Sequence, residues 1–260
     1  MNYGLYLSAS GVLTNMYRQD VFANNLANVK TDGFKPDVPT IRQRNPESVE
    51  DHFGFDVQQA LLDRLGGGVL AGRQRINHAQ AELTQTGNAL DVALTQPKTF
   101  FAIAQTDAAG QTAVRLTRDG RFSLGPNGQL VQTATGRPVL DTGDQPITLR
   151  PGVPVSIDDT GRIVQNGTVV GRLQVAAVND PDHLIKHGDG VLRIPESDTR
   201  RVVESPQMRS GHLEASGADP IRALMQVVEA TKAVTANGNL IRYHDLIMDR
   251  AVNTLGRVTA

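Results

Sequence analysis

Cysteine and tryptophan are absent from the 260 residues, and aromatics are few, with seven Phe and four Tyr. Without cysteine there is no disulfide framework, no thiolate metal site and no thiol nucleophile. Neither charge sign dominates: 26 Lys and Arg stand against 27 Asp and Glu, for a net charge of -1. Such a balance gives no global electrostatic reason to bind nucleic acid, so no nucleic-acid partner is expected. Long apolar runs are also missing. Nothing approaches the roughly 20 residues of a membrane span, so no direct membrane insertion is expected. The opening MNYGLYLSASGVLTNMYRQD has no basic n-region and no unbroken apolar h-region, which argues against a cleaved secretory signal. Eleven aromatics is thin for a single core in a 28.0 kDa chain. Aromatic side chains bury the most area each, so the mass is expected to be divided.

What is present begins with a helical pattern over the first 29 residues. Leu5, Ala9, Val12, Met16, Gln19, Ala23 and Leu26 alternate by four and three, which is heptad spacing. The stripe is narrow and partly polar. It can be an amphipathic helix on its own core or a seam awaiting another helix. Asn24, Asn25 and Asn28 then crowd the helix end, ahead of Gly33, Phe34 and Pro36. Gly33 suits a left-handed cap and Pro36 stops the helix. Asn24 and Asn28 lie one turn apart, where their amides can bond a neighbouring backbone. A second pattern starts at Asp219-Pro220, an N-cap followed by proline at the first helical position. Leu224, Val227, Thr231, Val234, Gly238, Ile241, Asp245, Met248, Val252 and Leu255 step by three and four.

Between the helical ends, residues 36–75 carry Pro36, Pro39, Pro46 and the Gly66-Gly67-Gly68 triplet, which read as an extended or flexible connector. A short helix is expected over 57–65. Residues 76–218 turn β-branched, with turn dipeptides at Asp119-Gly120, Asn127-Gly128, Thr160-Gly161 and Asn166-Gly167. Gly120-Arg121-Phe122 leading to Asn127-Gly128 is echoed by Gly161-Arg162-Ile163 leading to Asn166-Gly167, two similar hairpins with different loop lengths. The expected class is α+β: N- and C-terminal helices (1–35 and 219–260) pairing as a coiled coil, with a central, mostly antiparallel β domain. Diluted seams make a marginal pair in isolation, because packing supplies most helical stability. A chain of this kind suits an assembly, and heterologous contacts that do not close produce a helical polymer.

Catalytic signals are weak. His183 and His187 have the i, i+4 spacing of a zinc pair, but the flanking Asp180, Pro181, Gly188 and Gly190 read as loop. The Gly triplet is not followed by Gly-Lys-Ser/Thr, so it is no phosphate loop. Asp158-Asp159 reads as turn chemistry. Arg115, Arg118 and Arg121 read as a solvated strand face. No catalytic residue, metal or cofactor is expected, so the chain is not expected to be an enzyme. A soluble β-domain binding module, oligomerised through its terminal helices, remains open at this level.

Three segments resemble one known family. Asn24 to Lys35 (NNLANVKTDGFK) resembles the ANNLANxxTxGFK motif of bacterial flagellar rod and hook proteins. Thr86 to Leu94 (TGNALDVAL) is similar to their TGNxLDxAI segment. It is followed by Phe100-Phe101 and by Leu116 to Phe122 (LTRDGRF), which is like YTRDGxF. Gly211 to Ser216 (GHLEAS) is similar to GxLExSNV, although Gly217-Ala218 replace Asn-Val. Residues 231–235 also depart from the family's last helix, and Thr99 stands where it has Gly. The resemblance implies a structural subunit of the flagellar basal-body rod, assembling helically to transmit torque and enclose the export channel. It implies export through the flagellar type III apparatus, with other copies and other rod or hook subunits as partners. It also implies terminal helices that order in an inner coiled-coil layer beneath an outer β domain. Residues expected at the assembly interface are Leu5, Val12, Met16, Asn24, Asn25, Leu26, Asn28, Gly33, Phe34, Leu224, Val227, Val234, Ile241, Met248 and Leu255. Gly143 to Leu149, with Val170 to Leu173 and Asp189 to Leu192, leans toward the proximal rod member, while length alone fits proximal or distal.

Overall fold

A computed structural model describes residues 3–45, 66–106 and 110–255. The chain is α+β, with a helix at each end and antiparallel strands between. It divides into two compact units. Met1–Leu26, Asp37–Arg75 and Pro220–Ala260 form one; Ala27–Pro36 and Ile76–Asp219 form the other. The helix expected over 57–65 lies outside the described residues.

The first unit contains α1 (Tyr3–Ala27) and α2 (Pro220–Arg250), the latter extended by a π-helical turn at Ala251–Leu255. Pro220 opens α2, as its fixed φ favours. A Cβ placed on Gly4 would meet the His244 ring at 2.8 Å, and one on Gly11 would meet the Asn237 amide at 3.1 Å. Each pair of residues is one heptad apart, and the two run in opposite chain directions. The buried positions of α2 are Ala223 and Ala230. Val227, Val234, Asn237, Ile241 and His244 on the same row are half-buried. This row keeps Val227, Val234 and Ile241 of the expected seam, but its alternate members are Ala223, Ala230, Asn237 and His244, each one position earlier than Leu224, Thr231, Gly238 and Asp245. Small residues let backbones approach, so the fully buried positions of α2 are the alanines, while Leu224, Met225 and Ile247 are left outside.

Strand Ile41–Gln43 pairs with Val69–Ala71, Arg42 facing Leu70. This hairpin is tied to α1: the Tyr17 hydroxyl donates to the Gly72 carbonyl at 3.2 Å, and Thr14 Oγ1 to the Val69 carbonyl at 3.4 Å. The described parts of the expected connector are thus strands and turns resting on a helix. Leu13, Thr14, Val69 and Leu70 help line an apolar cavity of about 280 Å³ beside them.

The second unit is built on a six-stranded antiparallel sheet. Its order is Ile185–Lys186, Val191–Arg193, Thr112–Thr117, Thr99–Thr106, Val175–Val178, Arg200–Val202. The long hairpin 99–106/112–117 runs in register from Phe101–Thr117 to Thr106–Thr112. One face packs Phe101, Ile103, Val139, Val191 and Phe122 into the main core, with Phe101 edge-on to Phe122 at 5.2 Å. The opposite face packs Phe100, Leu116, Ala176 and Leu192. Residues 76–218 hold three aromatics, Phe100, Phe101 and Phe122, and they are among the largest fully buried side chains. Both echoed hairpins exist, as 122–124/130–132 and 162–165/168–172. Asn166 and Gly167 both have positive φ, 49° and 76°, as a two-residue primed turn requires. Asp119-Gly120 is no hairpin turn: Asp119 is buried, and Gly120 lies against the Val92 carbonyl.

Candidate functional site

The three motif segments meet in the second unit around one buried carboxylate. Glu214, in the strand His212–Glu214, is 2% exposed, with Lys35 at 5% and Arg118 at 3%. Lys35 Nζ donates to Glu214 Oε1 at 2.6 Å and to the Ala79 carbonyl at 2.7 Å. Arg118 Nε donates to Glu214 Oε2 at 2.5 Å. Its Nη1 reaches the Gln96 and Thr99 carbonyls, and its Nη2 the Leu94 carbonyl and Gln80 Oε1. The Ala81 amide adds a third hydrogen bond to the carboxylate, at 2.9 Å. Two cations share one anion, and burial lowers the Lys35 pKa despite the opposing pull of Glu214. Buried charges persist only when paired and hydrogen-bonded, and this group meets that demand.

Backbone contacts lock the same place. Gly33 has φ 68°, and its amide donates to the Glu214 carbonyl at 2.7 Å. A Cβ there would stand 2.5 Å from the Arg118 carbonyl carbon, so glycine is required twice over. The Gly217 amide donates to the Phe34 carbonyl, and Ser216 Oγ to the Asn28 carbonyl at 2.8 Å. Phe34 is buried, with Lys186 Nζ 4.1 Å from its ring centroid; the same ammonium donates to the Lys35 carbonyl. Asp32 pairs with Arg121. In the second motif, Thr86 Oγ1 and Asn88 Nδ2 both donate to the Asp91 carboxylate, at 2.7 and 3.0 Å. The Asp91 backbone forms an isolated antiparallel β-bridge with Arg121. Buried Asp119 accepts from Gln132 Nε2 and the Arg121 amide, while burial raises its pKa.

The node explains which residues the motifs need. Arg118, read from the sequence as part of a solvated face, is buried within it. Lys35 and Glu214 carried no signal of their own beyond membership of the matched segments. All the side chains present are held by fixed partners, which is the chemistry of a joint.

The residues expected at an interface spread over both units. Gly33 and Phe34 belong to the node, and Asn28 contributes its carbonyl to it. Asn25 is buried elsewhere: its amide Nδ2 donates to the Asp37 carbonyl and its Oδ1 accepts from the Asp37 amide, both at 2.8 Å. Asn24 is exposed, while Leu5, Val12 and Leu26 are half-buried and Met16 is 48% exposed. On α2, Leu224 and Met248 are exposed, and Val227, Val234 and Ile241 are half-buried. The Leu255 side chain lies outside the described residues. The outer surface of α2 carries Ile221, Leu224, Met225 and Val228, then Leu240, Tyr243, Leu246 and Ile247, all exposed. Apolar surface of this extent on one helix is characteristic of interaction sites.

His183 lies in a 3-10 turn, Pro181–His183, followed by the strand Ile185–Lys186. The helical i, i+4 geometry of a zinc pair is therefore not formed. Among the described residues no group of three His, Asp or Glu side chains is placed to hold a metal, and no helix is long and apolar enough to cross a membrane.

Comparison with known proteins points one way. Residues 5–35 match the family model described as Flagella basal body rod protein. The chain is 30% identical to the flagellar basal-body rod protein FlgF of Mesorhizobium japonicum, over 98% of this chain and 99% of that one. It is 29% identical to FlgF of Caulobacter vibrioides, over 99% and 100%. It is 27% identical to the flagellar hook-basal body complex protein FlhO of Bacillus subtilis, over 98% and 99%.

Proposed function

The chain belongs to the flagellar basal-body rod protein family as a structural rod subunit, and on that premise we propose how its two units divide the work. The helices α1 and α2 pair as a coiled coil and form the inner layer that encloses the export channel. The β unit forms the outer layer and helps carry torque. The proximal rod is its place, in line with the FlgF names among its relatives. Its partners are further copies and other rod or hook subunits. It reaches them through the flagellar type III export apparatus. The interface is formed by the exposed members of the expected set, Met16, Asn24, Leu224 and Met248, together with the exposed row on α2.

The observation that carries this reading is the apolar exterior of α2. Met225, Tyr243 and Ile247 are more than half exposed, at 67%, 63% and 63%. Each side chain of this size favours burial by about 1.5–3 kcal/mol, and neighbouring subunits supply the cover. The buried node serves this function by anchoring both segments through which the chain enters and leaves the β unit. The test is a substitution that touches only the outer row. Met225→Asp puts a charge where subunits pack; swimming is lost in a strain relying on this variant, while the β unit keeps its amide protection. Normal swimming would refute the assignment.

A further inference from the structure

A second polar cluster lies in the β unit, away from the Glu214 node, and the function above does not use it. The sheet register assembles it. Val191 faces Thr117 and Leu192 faces Leu116, so the same ladder sets Arg193 beside Arg115. Ile103 faces Arg115 on one side and Val139 on the other, and Gln105 faces Ala113. Continuing that register two residues brings Arg137 beside Gln105. By strand alternation, Gln105, Ala113, Arg115, Arg137 and Arg193 share the face whose interior is the Phe101–Ile103–Val139–Val191 core. They form the rim at one end of it.

Among the described residues, three guanidiniums converge here without an acid. Among the described residues no carboxylate comes within ion-pair distance of any of them. Arg115 Nε donates to Gln105 Oε1 at 3.0 Å, and its Nη1 to the Val114 carbonyl at 3.3 Å. Arg137 Nη1 is buried with no hydrogen-bond partner. Burial, then Arg193 and Arg137, lower the Arg115 pKa. Like charges facing one another across strands destabilise a sheet, and a buried donor without an acceptor costs its full desolvation. Both penalties vanish if an anion sits between the forks. Ala113 is the smallest side chain of the row and leaves room, and Gln105, its oxygen committed to Arg115, has its amide N–H groups to offer.

We propose that Arg115, Arg137, Arg193 and the Gln105 amide form a binding site for an oxyanion, a carboxylate or phosphate group gripped by forked guanidinium donors. Arginine is the suitable residue, since its planar fork matches the oxygens of either group. The inference stands apart from rod assembly, because it concerns the folded β unit of a single chain.

The experiment follows the Nε–H resonances of the full chain while inorganic phosphate replaces chloride at constant ionic strength. Saturating shifts at Arg115, Arg137 and Arg193, with a midpoint of about 1 mM, are expected, and half-buried Arg172, which donates to the Thr160 carbonyl, stays still. The thermal midpoint rises with phosphate by mass action. In Arg115→Gln, and separately in exposed Arg193→Gln, that phosphate-specific rise disappears, while the midpoint in chloride is kept or raised by relief of repulsion. The same resonances moving with protein concentration in chloride, reversed by phosphate, would identify a carboxylate of a second copy as the occupant; concentration independence identifies a free oxyanion. Shifts that are linear and equal at all arginines, or a phosphate response retained in both variants, overturn the site.

Discussion

Replacing Glu214 by glutamine removes one negative charge and almost no volume. Lys35 and Arg118 then lie buried without their shared anion, at 5% and 3% exposure. The new amide also presents either a second donor or a neutral oxygen to Arg118 Nε, now bonded at 2.5 Å. Removing one partner of a buried ion pair costs about 3–5 kcal/mol. That is a large part of the about 5–15 kcal/mol that holds a domain folded. Lys35→Met is a sharper companion. It removes one of two cations, leaves Glu214 paired with Arg118 and the Ala81 amide, and brings the node to neutrality, so its cost is smaller. Tryptophan is absent and all four tyrosines lie outside residues 76–218, so fluorescence cannot report on the β unit. Amide exchange of residues 99–117 can. Glu214→Gln accelerates it by about two to nearly four orders of magnitude, at about 1.4 kcal/mol per tenfold. Equal effects of the two variants, or exchange unchanged in Glu214→Gln, would refute the claim that charge pairing organises this joint.

Two glycines separate backbone need from tolerance. Gly33→Ala meets a positive φ and the Arg118 carbonyl at once and costs about 2 kcal/mol or more, read as faster exchange in the β unit. Gly238→Ala has nothing within 4 Å and stabilises α2 by about 0.5–1 kcal/mol, read as raised helical ellipticity of the monomer; a loss of helicity would contradict this. The pH dependence follows from His78. Its Nε2 donates to the Pro181 carbonyl at 3.0 Å, its Nδ1 is buried without a partner, and burial lowers its pKa below 6.5. Between that lowered value and 6.5 the unfolded chain binds more protons, so its contribution is complete above 6.5 and is lost as pH falls, by at most about 1.4 kcal/mol per pH unit. His78→Gln keeps a donor for Pro181 and flattens that slope in urea titrations; an unchanged slope would assign it to other groups. Asp158 works in a more acidic window. Burial pushes its carboxyl up, but hydrogen bonds from Thr160 and Arg162 together outweigh that and hold its pKa at about 2. Its support is complete above its ordinary 3.8 and is lost as pH falls through about 2, and Asp158→Asn removes that part of the acid sensitivity.

The helices, the antiparallel region and the echoed hairpins were legible because periodicity and turn chemistry are local. Pro220 begins α2 where the Asp-Pro signal placed it. The node was not legible as chemistry. Arg118 stands 96 residues from Glu214, and Glu214 stands 179 from Lys35. A charged residue reads as solvated until its distant partner is known, and only resemblance flagged the three segments together. The helix row buried within the first unit was missed for a different reason. A search for hydrophobic heptads selects Leu224 over Ala223, whereas close packing selects Ala223 and Ala230 and leaves Leu224 outside. The polar, small-residue dilution along the seams fits close packing of the alanine positions, with larger side chains such as Leu224 left exposed.

Methionine supplies a native probe of that surface. Met16, Met225 and Met248 are 48%, 67% and 43% exposed, while Met208 is 3% exposed in the β core. Peroxide oxidation followed by peptide mass spectrometry, on the purified monomer and on isolated basal bodies, compares the four sites directly. In the monomer the three helix methionines oxidise fast and Met208 slowly. In the rod the account predicts that the three slow toward the Met208 rate, because neighbouring subunits cover them. Monomer-like oxidation of all three in basal bodies that contain the protein would contradict it.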